Sequence, residues 1–551
     1  MRTIVAAALP YAYSIPHLGN FVGSILAADV YSKYLKMKGE DFIFISGSDQ
    51  HGTPVELRAI REKIDPEKLA ESMHEEIKAL FEKYGCTFTH YGKTHSKANM
   101  DIVYEITDAL DKNGYIITVE QDQAYCNVDR RFLTDRLIEG TCPYCESALA
   151  RGDQCDNCGH LLTPAELIKP HCTICGKSDI KFVKARNMAL SMDKLQKPIL
   201  KFVESSRNNN WSKNAYNKSL SYIKEGLKPR DITRNMRWGI PVNRKGFEDN
   251  VFYVWYDGLA GYIGITKEWN AKRWKDYWLS EDTRLVHFMG KDNIEFHTTM
   301  WPAMLIGSKM GFTLPATIRA SEHLISKKIK FSKSRGVGLN LNTALHILPS
   351  DYWRFALMHM YPETADTEFT KELLVEVVNK LMNDKIGNLI HRVLTISKNN
   401  SDRIDETAKI DAETGHKADE IITEYRDRFE KFDLRGALNA LLELADYGNE
   451  LMSSKEPWAL AKKAAADSAA EKEFTEIMGS LLNLVYYVSV LLYPFSPDAS
   501  GKALSYFGIM KEPDMKLLSK RAKPDLSLEI TPIFSKVSKE ALAKLEKQEQ
   551  Q

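Results

Sequence analysis

The amino-acid order predicts an α/β protein: a Rossmann-type parallel-sheet domain, split by a cysteine-rich insertion and followed by a C-terminal α-helical bundle. Three observations carry this. The apolar stretch Thr3 to Pro10 runs through Tyr11 and Pro16 into a helix start at His17-Leu18-Gly19-Asn20, the opening half of a nucleotide-binding α/β unit. Two C-x2-C hooks, Cys142/Cys145 and Cys155/Cys158, stand nine residues apart, the signature of a zinc-knuckle insertion. From about Thr370 onward the chain turns strongly helical.

The totals bound the answer. A chain of 551 residues has room for three or four domains. Lys+Arg 75 against Asp+Glu 74 speaks against coating DNA non-specifically, while leaving room for an RNA held by a local patch. No apolar run approaches the ~20 residues that cross a bilayer. The N-terminus enters a strand with no signal peptide, so no membrane and a cytoplasmic location are expected. Eight cysteines in such a chain read as metal ligands rather than disulfides.

In chain order, Pro10 and Pro16 stiffen the first crossing, and Gly19 lets backbone approach a ligand closely. The helix Leu18 to Lys38 turns Ile25, Leu26, Val30 and Tyr34 or Leu35 inward, and Gly39 stops it. A buried-type strand follows at Asp41 to Ile45. Ligands of open parallel sheets sit at strand C-termini, so Asp49 reads as a carboxylate facing a substrate amine, or else as the N-cap of the next helix. Helices are expected over Pro66 to Tyr84, Ala98 to Lys112 and Lys213 to Lys224, with β structure starting near Tyr115. The run Val251 to Ile263 sets small residues beside large aromatic ones, as core packing or as the wall of a slender apolar pocket. The strand Val286 to Gly290 ends in Lys291-Asp292, and His297 and Trp301 then share one helix face.

The first two hooks place four thiolates around one tetrahedral zinc and leave it no open position, which argues against metal catalysis. A third hook, Cys172/Cys175, needs two more ligands. Cys126-x2-Asp129 copies the hook with a carboxylate for the second thiolate, so a second zinc on Cys126, Asp129, Cys172 and Cys175 is expected. His171 competes with Asp129, but a ligand beside Cys172 is awkward to aim at the same ion. The two sites interleave and staple a domain with little core of its own.

Far downstream, Ser326 to Gly336 crowds lysines among small hydroxyls, a loop suited to folding over polyphosphate. His17-Leu18-Gly19-Asn20 and Lys330-Phe331-Ser332-Lys333-Ser334 resemble the paired HIGH and KMSKS signatures of class I aminoacyl-tRNA synthetases. With the opening Leu9-Pro10-Tyr11, the Trp255-Tyr256-Asp257-Gly258-Leu259 segment and the interleaved hooks, Thr3 to about Ser505 resembles the two-zinc methionyl-tRNA synthetases.

The resemblance implies an ATP-dependent ligase that forms methionyl-adenylate and transfers the acyl group to tRNA(Met), with Mg²⁺ accompanying ATP. It implies methionine contacts at Leu9, Tyr11, Asp49, Trp255, Gly258, Leu259, Tyr262, His297 and Trp301. ATP contacts would be His17, Gly19, Asn20, Lys291, Asp292 and Lys333, with His17, Asn20, Lys330 and Lys333 serving catalysis and Arg234 at a family active-site arginine. Asn388, Arg392, Pro457 and Trp458 would grip the anticodon, Trp458 by stacking. Asn20 stands where the signature has its second histidine, and Asp129 where two-zinc members commonly have cysteine or histidine.

The expected organisation is a first Rossmann half at 1–116, the insertion at 117–230, the second half at 231–322, the loop and stem-contact region at 323–367, the anticodon bundle at 368–512 and a tail at 513–551 that packs back through Leu528 to Phe534. A monomer is expected, because the chain ends soon after the bundle. The alternatives are a cysteinyl-type synthetase and a non-catalytic zinc-ribbon tRNA-binding protein.

Overall fold

Five strands form one parallel sheet, in the spatial order Pro315–Ser321, Thr283–Gly290, Arg2–Ala7, Phe42–Ser48 and His90–Lys93. The computed structural model describes residues 1–148, 150–152, 155, 157–158, 160, 162–326, 329–330, 338–404 and 409–550. The apolar runs make central strands because both faces are covered. Ile4 and Ala6 bury into one core and Val5 and Ala7 into the other; Ile43 and Ile45 oppose Phe44 in the same way. That alternation is the two-residue period of a strand read from both sides. The first strand has neighbours that continue the chain in opposite directions, which opens a crevice at the strand C-termini.

The expected first helix forms as one rod from Leu18 to Lys38, and Gly39 caps it in the left-handed conformation at φ 75°. Its middle, Phe21–Leu26, is π-helical. The same distortion recurs at Phe296–Met300 and at Val377–Gly387. Such segments re-aim side chains and often mark functional surfaces. Here each lies on a helix that carries predicted site residues.

The insertion is built on a long antiparallel pairing of Ile116–Cys126 with Ile180–Leu190. A small three-stranded sheet beyond it has a core of its own in which Cys126, Cys142, Cys155 and Cys172 are members. The helix Met192–Ser205 that follows was not expected from the sequence.

The C-terminal region is the predicted bundle. Lys371 to Asn399 is one continuous helical rod, packed with Leu434–Lys455 and Ser468–Leu491. Ala412–Glu430, absent from the sequence reading, couples the bundle to the first helix: Phe429 stacks on Tyr34 at 4.2 Å, and the Tyr34 hydroxyl donates to Glu430 at 2.8 Å. Contrary to the expectation that nothing would pass for a membrane span, Ser468–Leu491 is long and apolar enough, but 83% of its apolar window is buried inside the protein. Its hydrophobicity belongs to the bundle core. The tail packs back as expected, with Phe534 buried against Tyr352.

Candidate active site

A cavity of about 430 Å³ opens at the C-terminal ends of the sheet. Four strand ends supply its floor: Ala8 to Tyr11, Asp49, Gly290 with Asp292 and Asn293, and Ser321 to Leu324. It gathers Leu9, Tyr11, His17, Gly19, Asn20, Asp49, Asp292 and His297, together with Trp255, Gly258, Leu259 and Tyr262 from the helix Val254–Trp269. Residues as distant in sequence as Leu9 and His297 thus meet in one space because the parallel sheet aligns its strand ends.

The His17 turn is a reciprocal cap: the Asn20 backbone N–H donates to His17 Nδ1 at 3.0 Å, and the His17 N–H to Asn20 Oδ1 at 3.4 Å. Nδ1 therefore accepts, and the imidazole carries its proton on Nε2. The turn is zipped to the chain just past the basic segment. Leu18 N–H donates to Leu339 O at 3.0 Å, and Leu341 N–H to Pro16 O at 3.0 Å. On the near side, Ser321 Oγ donates to Gly23 O, and a Cβ at Gly23 would stand 2.8 Å from Ser321 Oγ. Both anchors of the basic segment, 321–324 and 339–341, therefore touch the His17 helix. The roles expected of Lys333 and of the Lys330 side chain lie outside the described residues; the Lys330 backbone continues the hairpin from Leu324–Ser326.

Asp49 is buried, and not as a cap of the next helix, whose N-cap is Gly52. Burial and the neighbouring Asp257 push its carboxyl well above the usual carboxylate range. Burial pushes Asp257 up too. His51 links the pair: its backbone N–H donates to Asp49 Oδ1 at 3.4 Å, its Nδ1 meets Asp257 Oδ2 at 2.7 Å, and its Nε2 meets His95 Nδ1 at 3.0 Å. Burial drives the His51 imidazolium down to about 3, so the ring is neutral. The contacts fit two tautomers of His51, and the raised Asp257 carboxyl favours the one in which protonated Asp257 donates to Nδ1 and Nε2–H donates to His95. A proton parked on Asp257 leaves Asp49 as the carboxylate that can ionise. Neither Asp257 nor His51 was singled out from the sequence, since nothing local reveals a contact across 206 positions.

The apolar end of the cavity is held by Tyr262, whose hydroxyl donates to His297 Nε2 at 2.8 Å while His297 Nδ1–H donates to Asn293 O at 3.0 Å. Burial lowers His297 to about 4, so this ring is also neutral. Trp301 does not line the cavity. It is fully buried behind Tyr262 and Trp278, supporting the wall. Lys291 does not line it either: its ammonium is held by Glu322 at 2.7 Å and Asp366 at 2.6 Å. Glu322 and His323 do line it, and His323 reaches Asp292 at 3.2 Å. Arg234 stacks over Tyr253 at 4.2 Å in an adjoining cavity. Arg136, from the insertion, lines both cavities and was missed.

In the insertion, Cys142, Cys145, Cys155 and Cys158 converge, as do Cys126, Asp129, Cys172 and Cys175. Sulfur separations of 3.6, 3.7 and 3.9 Å approach the ~3.8 Å edge of a tetrahedron with ~2.3 Å zinc–sulfur bonds. Asp129 Oδ2 lies 3.0 Å from Cys172 Sγ, while His171 is not among the converging donors. Both clusters could hold a metal ion and suit zinc.

On the bundle, Trp458 is 38% exposed, an unusual position for a tryptophan, with the Arg392 guanidinium 5.1 Å from its ring centroid. Asn388 is exposed one turn before Arg392, and buried Pro457 starts the helix that presents Trp458.

Comparison with known proteins gives the same picture at full length. The family described as tRNA synthetases class I (M) matches residues 3–394, and the anticodon binding domain of methionyl tRNA ligase matches 405–548. The methionine–tRNA ligase of Pyrobaculum islandicum is 38% identical, covering 98% of this chain and 95% of that one. That of Caldivirga maquilingensis is 38% identical over 98% and 93%. The crystal structure of Mycobacterium tuberculosis methionyl-tRNA synthetase bound by methionyl-adenylate superposes with a TM-score of 0.79 at 22% identity, over 97% of this chain and 100% of that chain, and so shares the fold.

Proposed function

The chain belongs to the methionine–tRNA ligases of class I, and on that premise we propose how its residues divide the work. It is an ATP-dependent aminoacyl-tRNA ligase: methionine and ATP give methionyl-adenylate and pyrophosphate, and the acyl group then passes to tRNA. One observation carries the proposed roles. A single cavity collects the His17 turn, the near anchor of the basic segment at Ser321 to Leu324 and a buried carboxylate, and the far anchor at 339–341 is hydrogen-bonded to that turn.

Asp49 takes the methionine ammonium. The thioether lies among Leu9, Tyr11, Trp255, Gly258, Leu259, Tyr262 and His297, a fixed and mostly aromatic slot that selects by shape. Trp301 backs this wall. His17, Gly19 and Asn20 meet the ATP phosphates at the start of the long helix, with Asp292 beside them. Lys330 and Lys333 meet the leaving pyrophosphate; Lys291 holds Glu322 and Asp366 in place beneath it. Mg²⁺, when bound with ATP, neutralises phosphate charge. The first step is in-line attack of the methionine carboxylate on the α-phosphorus, helped mainly by positioning and charge. Asn388, Arg392, Pro457 and Trp458 form the anticodon grip, Trp458 stacking a base while Arg392 and Asn388 read edges. The protein works in the cytoplasm, where its tRNA substrate is used.

Amino-acid-dependent ATP–pyrophosphate exchange tests this reading, run in parallel with methionine, cysteine, leucine and isoleucine. Methionine alone is expected to support fast exchange; equal turnover with any other sinks the assignment. A cysteine-specific pocket would need a metal with an open position inside it, and both metal clusters here sit in the insertion with four protein donors each.

The clusters hold two structural zinc ions. Purified protein should carry two per chain, and Asp129→Ala should carry one, with a lower unfolding midpoint. Metal analysis showing two ions in that variant would remove Asp129 as a ligand and return His171 to consideration.

A further inference from the structure

Asp49 can hold an ammonium only while it is charged, and a second buried carboxyl, Asp257, acts on it. Two carboxyl groups in one dry site keep a proton between them. Which of the two carries it depends on the His51 ring, whose Nδ1 meets Asp257 Oδ2 at 2.7 Å. With Nδ1 bare, Asp257 must donate and so keeps the proton. With a proton on Nδ1, Asp257 must accept, and the shared proton falls to Asp49. A neutral imidazole offers both forms, so the group on its other nitrogen makes the choice.

That group is His95. Its Nδ1 lies 3.0 Å from His51 Nε2, and its Nε2 faces Glu67 Oε1 at 3.6 Å. The row Asp257, His51, His95, Glu67 thus climbs from the interior to solvent: the His95 side chain is 26% exposed and that of Glu67 66%, while His51 and Asp257 are sealed. Four elements build it. The strands Phe42–Ser48 and His90–Lys93 are parallel neighbours, so the residues just past them, His51 and His95, arrive at one end of the sheet. The helix Val254–Trp269 brings Asp257, and the first turn of Pro66–Lys83 brings Glu67. The His95 ring lies 4.7 Å from that of Trp238, whose indole N–H donates to Gln50 O at 2.6 Å. A carboxylate outside favours the proton on Nε2 and leaves Nδ1 to accept from His51. Burial first, then His51 and Lys93, hold the His95 imidazolium below the usual histidine range, against Glu67 and Glu71. Glu71 is itself paired with Lys93 at 2.7 Å. At neutral pH the ring is therefore uncharged.

We propose that His95 is a positioning residue for methionine activation: by accepting the His51 Nε2–H at its Nδ1, it fixes the tautomer that keeps the shared proton on Asp257 and the charge on Asp49. It touches neither substrate nor cavity and acts through His51 alone. Acid reverses the arrangement along the same row. Asp257 gives its proton to His51 Nδ1, and His51 Nε2 gives its proton to His95 Nδ1, which becomes the imidazolium facing Glu67. Asp257 is then the carboxylate, and Asp49 takes one proton from solvent, so the net change is one proton bound and the substrate's anion lost. This rests on the ligase reading above, and the test separates the two.

The test reads the methionine KM in ATP–pyrophosphate exchange, together with inhibition of that exchange by 4-(methylthio)butyrate, which is methionine without its amine. His95→Ala removes the acceptor and leaves the His51 tautomer unfixed. It should raise the methionine KM about tenfold near about pH 7.5, with kcat within about twofold, and move the acid rise of KM about one pH unit toward neutral. Inhibition by the amine-free analogue should change less than about twofold, because it brings no ammonium for Asp49 to meet. His95→Asn, whose side-chain carbonyl accepts where Nδ1 did, should return the methionine KM to within about threefold of the wild type. Methionine and the analogue weakening equally in His95→Ala would show a ring that only supports the fold and would overturn the proposal. An unmoved acid rise, or His95→Asn no better than His95→Ala, overturns it as well, and each of these leaves the ligase reading intact. A wild-type chain without methionine-dependent exchange overturns both.

Discussion

Asp49→Asn should cost about 10²–10³-fold in kcat/KM for methionine, while Asp257→Asn, at its buried neighbour, should cost less than about threefold. The two residues are equally acidic on paper and both buried. Their surroundings differ. Asp257 points one oxygen at a neutral imidazole, 2.7 Å from His51 Nδ1, in a chain that continues to His95 at 3.0 Å. That chain accepts a proton from Asp257 and gives back no charge. The amide introduced by Asp257→Asn would keep a donor on the same nitrogen. Asp49 instead faces the cavity with, among the described residues, only the His51 backbone N–H on one oxygen, so a substrate ammonium is its natural counter-ion. The amide introduced by Asp49→Asn would leave that ammonium desolvated and unpaired. The acid limb follows with a definite sign. Because burial and Asp257 raise the Asp49 carboxyl, lowering the pH protonates it sooner than an ordinary aspartate, and methionine KM should rise as pH falls through that raised value. Steady-state exchange between about pH 6 and 9 reads both effects. Equal losses in Asp49→Asn and Asp257→Asn would show that Asp257 is the charged partner and that the proton assignment is inverted.

That asymmetry also marks where sequence reasoning reached its limit. Asp49 could be picked out because a carboxylate just past a buried strand lies at a ligand-bearing strand end. Asp257 lay within the quoted aromatic run but carried no periodic or spacing signal, and neither did His51; their roles exist only through a fold that joins positions 51 and 257. Arg136 was invisible for the same reason, since an insertion's arginine reaches a cavity built by other segments. Spacing signals fared well where chemistry demands fixed spacing. The hooks with nine residues between them, and the Cys126-x2-Asp129 copy, each found their partners at sulfur distances suited to one ion. Helix periodicity found the bundle but passed over Ala412–Glu430, whose polar majority hides the stripe Ile421, Ile422, Tyr425 and Phe429 that seats it. Lys291 and Trp301 took their roles from the resemblance, and the structure places both one layer behind the cavity, because a strand end and a helix face point residues to more than one side.

Replacing Asp29 by alanine should destabilise the protein by about 3–5 kcal/mol, and replacing Lys33 by methionine should cost clearly less, about 1–3 kcal/mol. Asp29, Lys33 and Arg354 form a triad that is essentially inaccessible to solvent. Asp29 sits in the first long helix, contacts Lys33 at 2.9 Å one turn on, and receives Arg354 at 2.7 Å from the helix Ser350–His359. Arg354 also donates to Tyr84 O at 3.1 Å and to Pro494 O at 2.7 Å, so one guanidinium ties the parallel-sheet domain to the end of the bundle's core helix. The charges sum to one excess cation. Removing Asp29 therefore strands two buried positive groups with no anion, whereas removing Lys33 leaves Asp29 and Arg354 matched. The titration directions agree with this. Burial alone would raise the Asp29 carboxyl, but Lys33 and Arg354 outweigh it and hold it below the usual carboxylate range. Burial works against the Lys33 charge and pulls its value down. The stability tied to Asp29 is thus fully present above the ordinary carboxylate range and is lost as pH falls through its depressed value. Denaturant midpoints of the two variants, measured at neutral pH by bundle and sheet-domain probes, decide the point. An Asp29→Ala midpoint no lower than that of Lys33→Met would mean that the triad is hydrated or screened. An Asp29→Ala protein in which the two probes separate would show that this cluster is what makes the bundle and the catalytic domain unfold as one.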